Sequence, residues 1–229
     1  MGLMTMEKGK KMEIHCGISN ILDIFQKQAT SEENVCNINF FPTESIIKQN
    51  VHTTHFTLFR EGIAKLVLEG EKSKSIILDF CVDCDILSYP FDNQYNQFTV
   101  IALTECKVTM IEKKYFNKLL TQNKDLKKIL IEYILQNNNK LHRKLLKYAT
   151  QQMHGRLAEG IIYLNQKMMK EKQIFNYLTR KDLADFTGMS VESMVRLLTE
   201  FKNDKIVNIS GKNVEINNLE LLQRLVQIG

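Results

Sequence analysis

The sequence has little proline and no long apolar run. Its 229 residues include two prolines, Pro42 and Pro90, both in the first 112 residues. No stretch approaches the ~18 consecutive apolar residues that a membrane span needs, and the longest uncharged, apolar-leaning run is Phe98–Thr104. Near the N-terminus, the stretch 17–23 is broken by polar residues and cannot serve as the core of a signal peptide. We therefore expect an unsecreted, cytoplasmic protein without a membrane partner.

Cysteine is also scarce, and its arrangement excludes two common uses. Five cysteines are an odd number at low density, so they predict no disulfide framework and are most simply buried free thiols. An iron–sulfur cluster needs four thiolates with clustered spacing, which these residues lack. Cys81 and Cys84 form a Cys-x-x-Cys pair, which in a strand-to-turn segment more often reflects packing than redox chemistry.

Motifs for catalysis are missing as well. The sequence contains no Gly-rich phosphate loop, nucleophile elbow or His-Glu-x-x-His helix. A small β-roll can also be a cupin-like metal-dependent enzyme, but the clustered His and Glu ligands of that chemistry are absent. His52 and His55 form a His-x-x-His pair that is more often structural, and haem or another gas-sensing cofactor stays open. We assign no catalytic and no metal-ligating residue, and predict that the protein is not an enzyme.

Charge is distributed unevenly along the chain. The net charge is +5 overall, but residues 1–112 carry −5, residues 113–150 carry +8, and residues 151–229 carry +2. An acidic first half followed by a basic remainder indicates an anionic partner for the C-terminal half.

The first 112 residues are rich in short β-type runs. Several of them alternate apolar and polar residues, and strands this short and this closely spaced predict a small all-β roll of the double-stranded β-helix or jelly-roll kind. A helix over Ile18–Gln28 is predicted to precede it. The runs are Val35–Phe41, Ile46–Gln49, Phe56–Glu61, Ile63–Glu69, Ser75–Phe80, Thr99–Leu103 and Lys107–Ile111.

A long helix is predicted over about Asp125–Ala149, which lies in a segment without proline or glycine. At 1.5 Å per residue it would be ~37 Å long, too long for a small roll to cover, so a second copy of the same helix is the simplest partner. The alternative is that the stretch 136–139 interrupts the helix and the stripe packs within one chain. The predicted dimer interface follows a coiled-coil-like spacing and comprises Leu130, Ile134, Asn137, Leu141, Leu145 and Tyr148.

The C-terminal third contains a helix-turn-helix pattern. A helix over Gly155–Lys170 and a strand over Ile174–Tyr177 are predicted to precede it. Thr179 is placed to cap a first helix, and Asp182, three residues later, completes the acidic variant of a capping box. Gly188 supplies the left-handed turn, and Ser190 caps a second helix. The inward residues of the two helices are Leu183, Ala184, Phe186, Met194, Leu197, Leu198 and Phe201.

A predicted hairpin follows the two helices and completes a winged helix. Two strands, Lys205–Ile209 and Asn213–Ile216, flank a polar tip that contains Lys212, and a helix over Leu219–Gln227 closes the domain. The outward face of the second helix begins with Val191, Glu192, Ser193 and Arg196.

The segment Leu178–Leu198 followed by Ile209–Ile216 resembles the DNA-binding domain of the Crp/Fnr family of bacterial transcription regulators. The matching motif positions are Thr179, Arg180, Gly188, Ser190, Glu192 and Arg196, with Gly211 and Lys212 in the wing. The resemblance implies an α+β protein with an effector-sensing roll and dimer helix over 1–150 and a winged helix-turn-helix over 151–229. It implies a homodimer that binds palindromic double-stranded DNA, with RNA polymerase as a further partner.

The resemblance also implies roles for single residues. Glu192 and Arg196 fall on positions that contact bases. Thr179, Arg180, Ser190 and Ser193 fall on positions that meet phosphates, and Lys212 would lie near a phosphate. Val191 stands where the cyclic-AMP receptor branch has an arginine, and valine can touch only a thymine methyl group. We therefore predict a half-site of the Fnr-like TTG type rather than TGTGA.

The signal for the roll is not identified by the sequence. Rolls of this family often bind cyclic AMP through a Gly-Glu-Leu and Arg-Ser/Thr cassette, whereas the corresponding stretch here is Asp83–Phe91, with no Gly-Glu-Leu and no arginine before the long helix. Because a phosphate needs exposed amide donors and a cation, we predict that the effector is not cyclic AMP. A winged-helix interaction module without DNA binding is the remaining alternative class.

Overall fold

The structure, a computed structural model, describes residues 34–71, 74–82, 85–88, 95–167 and 174–228. The predicted helix over 18–28 lies outside these ranges. The chain forms two compact units, one of Met1–Ala64 with Cys81–Lys140, and one of Lys65–Phe80 with Leu141–Gly229. No helix within the described ranges combines the length and the apolar character that crossing a bilayer takes.

The predicted β-roll is confirmed. Within the described ranges of the roll, eight strands form two four-stranded sheets, and most neighbouring strands are distant in the sequence, as in a jelly roll. The strands are β1 (Val35–Phe40), β2 (Ser45–Ile47), β3 (His55–Glu61), β4 (Ile63–Glu69), β5 (Ser75–Val82), β6 (Asp85–Ser88), β7 (Thr99–Ala102) and β8 (Cys106–Glu112). The sheet orders are β1-β8-β3-β6 and β2-β7-β4-β5. Among the strands of the described ranges, β6 has no counterpart in the predicted runs, because its two adjacent apolar residues between Asp85 and Ser88 show no alternation.

The roll is closed by helices that pack on its aromatic core. Helix α1 (Lys113–Gln122) places Phe116 against Phe56 of β3, with the two ring centres 4.0 Å apart. Helix α2 (Lys124–Thr150) is the predicted long helix, and it buries Leu130 and Tyr133 in the same cluster. The helix is continuous through the stretch 136–139, so the alternative of an interrupted helix is wrong.

Helix α3 (Met153–Gln166) opens the C-terminal part of the second unit. The strand predicted over Ile174–Tyr177 is a 3-10 helix instead. The backbone N–H of Leu178 donates to the carbonyl of Phe175 at 3.2 Å, which closes a local turn rather than a ladder to another strand. Ile174 and Phe175 are buried, so their β-like apolar character reflects core packing.

The helix-turn-helix and wing have the predicted order. Helix α4 spans Arg180–Thr187 and helix α5 spans Val191–Asn203. Antiparallel strands β9 (Val207–Ser210) and β10 (Asn213–Ile216) follow, and α6 (Leu219–Ile228) comes last. The seven inward residues predicted for the two helices are all buried, so this part of the pattern is confirmed.

Candidate nucleic-acid interface

The start of α4 is held by a capping box. The backbone N–H of Asp182 donates to Thr179 Oγ1 at 3.0 Å, and the backbone N–H of Thr179 donates to Asp182 Oδ2 at 2.8 Å. Two amide donors that the helix leaves unpaired are therefore satisfied reciprocally, as the sequence predicted. This cap fixes Thr179 and the neighbouring Arg180 at the exposed end of the helix.

Gly188 forms the turn between α4 and α5. Its φ is +66°, in the left-handed region that side chains with a Cβ rarely adopt, and its N–H donates to the carbonyl of Ala184. A Cβ at this position would lie 3.2 Å from the ring of Tyr148. Glycine is therefore required here both by the backbone conformation and by the close approach of Tyr148.

Helix α5 presents a mixed apolar and charged outer face. Ser190 caps it by accepting the backbone N–H of Ser193 at 3.1 Å, as predicted. Val191 and Val195 are exposed on this face, one turn apart. The sequence analysis missed Val195, although its spacing of four from Val191 was a usable signal.

Glu192 and Arg196, the two charged residues of this face, do not pair with each other. Hydrogen bonds from its own backbone N–H and from the Ser190 hydroxyl lower the pKa of Glu192, so the carboxylate is ionised and turned toward the cap. Glu192 and Arg196 form no ion pair, and Arg196 makes no hydrogen bond to any residue that the structure describes. The Arg196 guanidinium therefore keeps its donors for a ligand.

Arg180 connects α4 to the wing. Its guanidinium donates to the carbonyl of Gly211 at 3.0 Å, and partial burial lowers its pKa, although an arginine stays charged. Gly211 turns the wing tip with a φ of +60° and leaves Lys212 exposed beside it. A groove of about 240 Å³ lies next to this contact and is lined by Arg180, Val195, Leu198, Thr199, Lys202 and Ile209. Lys202 therefore adds a cation that the sequence analysis missed.

Lys65 of β4 and Ser75 of β5 belong to the same compact unit as α4 and make polar contacts with it. Lys65 Nζ lies 2.6 Å from Asp182 Oδ1, and the Ser75 hydroxyl donates to Asp185 Oδ2 at 3.0 Å. The hydrogen bonds from Lys65 and Thr179 lower the pKa of Asp182 against the opposing effect of burial. The capping carboxylate of α4 is therefore also the acceptor for a lysine about 120 residues earlier in the chain.

A second polar cluster joins Asp79 of β5 to residues at the end of α3. Asp79 Oδ1 accepts from the Tyr163 hydroxyl at 2.5 Å and from Lys167 Nζ at 2.7 Å. Although burial alone would lower it, the pKa of Lys167 is raised by the charge of Asp79 and its hydrogen bonds. The pair thus stays ionised inside the unit.

Of the six residues predicted for the dimer interface, Leu130 is corrected, because it is only 1% exposed and packs in the core of the roll. Tyr148 is half-buried, and its hydroxyl donates to the carbonyl of Phe186. The other five positions stay predictions. The large apolar side chains that α2 leaves exposed are Ile131, Leu135, Leu141, Leu145 and Leu146. Ile134 and Asn137 are half-buried.

The stretch that corresponds to the family's phosphate cassette, Asp83–Phe91, is described only in part. Asp85 accepts a hydrogen bond from the Tyr133 hydroxyl, and the backbone N–H of Ile86 donates to the same hydroxyl at 3.3 Å. Residues 83–84 and 89–94 lie outside the described ranges. The rings of His52 and Tyr95 pack at a tilt of 37°, with their centres 4.4 Å apart. Among the described residues, no three His, Cys, Asp or Glu side chains come together as a metal site.

Comparison with known proteins agrees with these features. Residues 38–123 match the family model of the cyclic nucleotide-binding domain, and residues 155–225 match that of the Crp-like helix-turn-helix domain. A roll of the first kind followed by a helix-turn-helix of the second defines a DNA-binding transcription regulator. The chain belongs to the Crp/Fnr family of transcription regulators.

Relatives and solved structures span most of the chain. The cAMP-activated global transcriptional regulator CRP of Salmonella typhimurium is 22% identical over 188 residues, which cover 79% of this chain and 90% of that protein. FixK2 from Bradyrhizobium japonicum has a similar fold, with a TM-score of 0.74, 13% identity and coverage of 83% and 96%. The c-di-GMP responsive regulator CLP of Xanthomonas campestris has a TM-score of 0.69 at 15% identity and coverage of 80% and 94%.

Proposed function

We propose that this regulator is a homodimer that reads a palindromic DNA site with α5 and is switched by an effector other than cyclic AMP, or by a redox signal, sensed in the roll. The observation that carries the proposal is the outer face of α5, where an ionised Glu192 and an unpaired Arg196 stand one turn apart on a capped helix. A carboxylate accepts from cytosine N4, and a guanidinium donates to guanine O6 and N7. Val191 beside them would contact a thymine methyl group.

Phosphate contacts would come from the residues around this face. Thr179 and Arg180 lie at the start of α4, and Ser190 and Ser193 at the start of α5, where free N–H groups and the helix dipole favour an anion. Lys212 at the wing tip adds an exposed cation. These groups would set the register of the protein on DNA without reading its sequence.

The dimer would form along the exposed side of α2. Ile131, Leu135 and Leu145 are 50%, 56% and 68% exposed, and their spacing places them along one stripe of the helix. A second copy of α2 is the partner whose apolar stripe matches in length and character. Two recognition helices about 34 Å apart would then meet successive major grooves. RNA polymerase would be the partner of the DNA-bound dimer.

The case against cyclic AMP rests on the composition of the roll. No arginine occurs between Arg60 and Arg143, and the stretch that corresponds to the family's phosphate cassette carries Asp83 and Asp85, with Asp92 directly after it. A phosphodiester would meet repulsion there instead of a cation. The curated relative is activated by cAMP and a structural neighbour responds to c-di-GMP, so the fold itself accepts more than one signal. A thermal-shift titration with cAMP is expected to leave the unfolding temperature unchanged.

The decisive experiment is selection of binding sites from randomised duplex DNA, followed by affinity measurements at several salt concentrations. We expect TTG-type half-sites and a steep loss of affinity with salt. Arg196→Ala should weaken binding by ~1–3 kcal/mol and relax one base position. Arg224→Ala is the matched control, because Arg224 pairs with Glu220 on α6 instead of facing outward from α5.

Recovery of TGTGA half-sites would refute the assigned role of Val191. Salt-insensitive binding, or no enrichment under any ligand condition, would favour the two other classes, a winged-helix interaction module or a cupin-like enzyme.

A further inference from the structure

The C-terminal end of α4 is completed by side chains from outside the helix-turn-helix. The last carbonyl groups of a helix have no partner within it. The carbonyl of Phe186 accepts from the Tyr148 hydroxyl at 2.7 Å, and the carbonyl of Gly188 accepts from the Arg156 guanidinium at 3.0 Å. Tyr148 lies in the last turn of α2 and Arg156 in the first turn of α3. The turn that aims α5 is therefore bonded to both preceding helices.

The same two side chains also pack against the turn. The ring of Tyr148 lies where a Cβ on Gly188 would come within 3.2 Å, and the Arg156 guanidinium lies 6.0 Å from the ring centre. Burial raises the pKa of Tyr148, so the hydroxyl remains a donor throughout the physiological range. Arg156 also carries a favourable positive charge at the negative end of the α4 dipole. The side chains of Tyr148 and Arg156 therefore match the turn at Gly188 both in shape and in charge.

We propose that Tyr148 and Arg156 are positioning residues for DNA recognition. They fix the turn at Gly188, and Ser190, two residues further, is the cap from which α5 begins. A shift at the end of α2 would then reach α5 directly through the Tyr148 hydrogen bond, and not only through the chain between α2 and α3. The proposal rests on the proposed function for what α5 reads, whereas the two hydrogen bonds do not depend on it.

The test is Tyr148→Phe, which keeps the ring and removes only the donor, with affinities measured for the selected duplex and for a scrambled one. Loss of one hydrogen bond to a carbonyl is expected to weaken specific binding about fivefold to tenfold. Binding to the scrambled duplex should stay within about twofold, and the salt slope should not change, because no phosphate contact is removed. Arg156→Met should act in the same direction.

Tyr177→Phe is the matched control. Tyr177 lies in the same unit, and its hydroxyl has no hydrogen bond to a described residue, so this variant should bind both duplexes like the wild type. Equal loss of specific and scrambled binding in Tyr148→Phe, or wild-type binding, would overturn the proposal.

A second measurement separates the failure of this proposal from failure of the proposed function. Amide hydrogen exchange at Gly188, Met189 and Ser190 needs no DNA and should become faster in Tyr148→Phe if the hydroxyl holds the turn. If the wild type enriches no sequence, the proposed function fails, and unchanged exchange in the variant would then refute the positioning role independently.

Discussion

Replacing Lys144 by methionine should remove a pH-dependent contribution to stability between pH 7 and pH 9. The Lys144 ammonium donates to the carbonyls of Ile77 at 2.8 Å and Leu78 at 2.9 Å, and it lies 3.9 Å from the centre of the Phe186 ring. It therefore joins strand residues of the second unit to a core residue of α4. Methionine fills a similar volume without the charge.

The magnitude follows from the environment of this lysine. Burial lowers the pKa of Lys144 from its ordinary 10.5 to about 7, with a further lowering by Lys167 and opposing effects of Asp79 and Glu159. Since the unfolded chain keeps the proton up to about pH 10.5, the folded state binds fewer protons between pH 7 and that value, and stability rises with pH. The rise from pH 7 to pH 9 amounts to about 2 kcal/mol. Below pH 7 both states are protonated, and this contribution becomes constant.

The assay is urea unfolding of the wild type and of Lys144→Met at pH 7, 8 and 9. Thiol, histidine and tyrosine titrations are common to both proteins and cancel in the difference of their free energies of unfolding. The wild type should gain about 2 kcal/mol relative to the variant over this range. Parallel pH profiles would show that the carbonyls and the Phe186 ring keep the ammonium charged as well as water does, and would refute the reasoning.

Three further predictions test other contacts. Gly188→Ala should destabilise the second unit by about 1–2 kcal/mol in urea unfolding, because alanine is strained at a φ of +66° and its Cβ would press on Tyr148; an unchanged midpoint would contradict this. Asp79→Asn should cost about 3 kcal/mol by removing the negative charge that balances the buried Lys167 ammonium, and adding Lys167→Met should recover much of the loss, whereas additive losses would argue against the pair. Leu135→Asp on the exposed stripe of α2 should convert a dimer into monomers in sedimentation velocity, and a dimeric variant would exclude this face.

Local rules explain why the helix-turn-helix could be predicted closely. The cap at Thr179, the left-handed turn at Gly188 and the cap at Ser190 each depend on residues within four positions along the chain, and such interactions are visible in a sequence. The 3-10 helix at Ile174–Tyr177 was misassigned because three apolar or aromatic residues out of four satisfy a strand pattern and a buried turn equally well.

Contacts over long sequence separations could not be predicted in the same way. Lys65 and Asp182 are 117 residues apart, and neither looks unusual alone. The two residues can meet because residues 65–80 belong to the same compact unit as the C-terminal part of the chain. The sequence instead predicted a single domain boundary near residue 150. That boundary remains a prediction for the domains, since compact units and independently folding domains need not coincide.

The phase of the long helix shows what periodicity alone leaves undecided. Helix α2 carries two apolar stripes, one through Leu130 and Tyr133 and one through Ile131 and Leu135, and both satisfy a spacing of three or four residues. The dimer interface predicted from the sequence follows the stripe through Leu130, yet Leu130 packs against the aromatic core of the roll around Phe56. Since a helix with two apolar stripes needs two partners, burial of the first within the chain strengthens the argument that the second meets another molecule. The matching length and character of that stripe on a second copy of α2 make the homodimer the simplest arrangement that covers it.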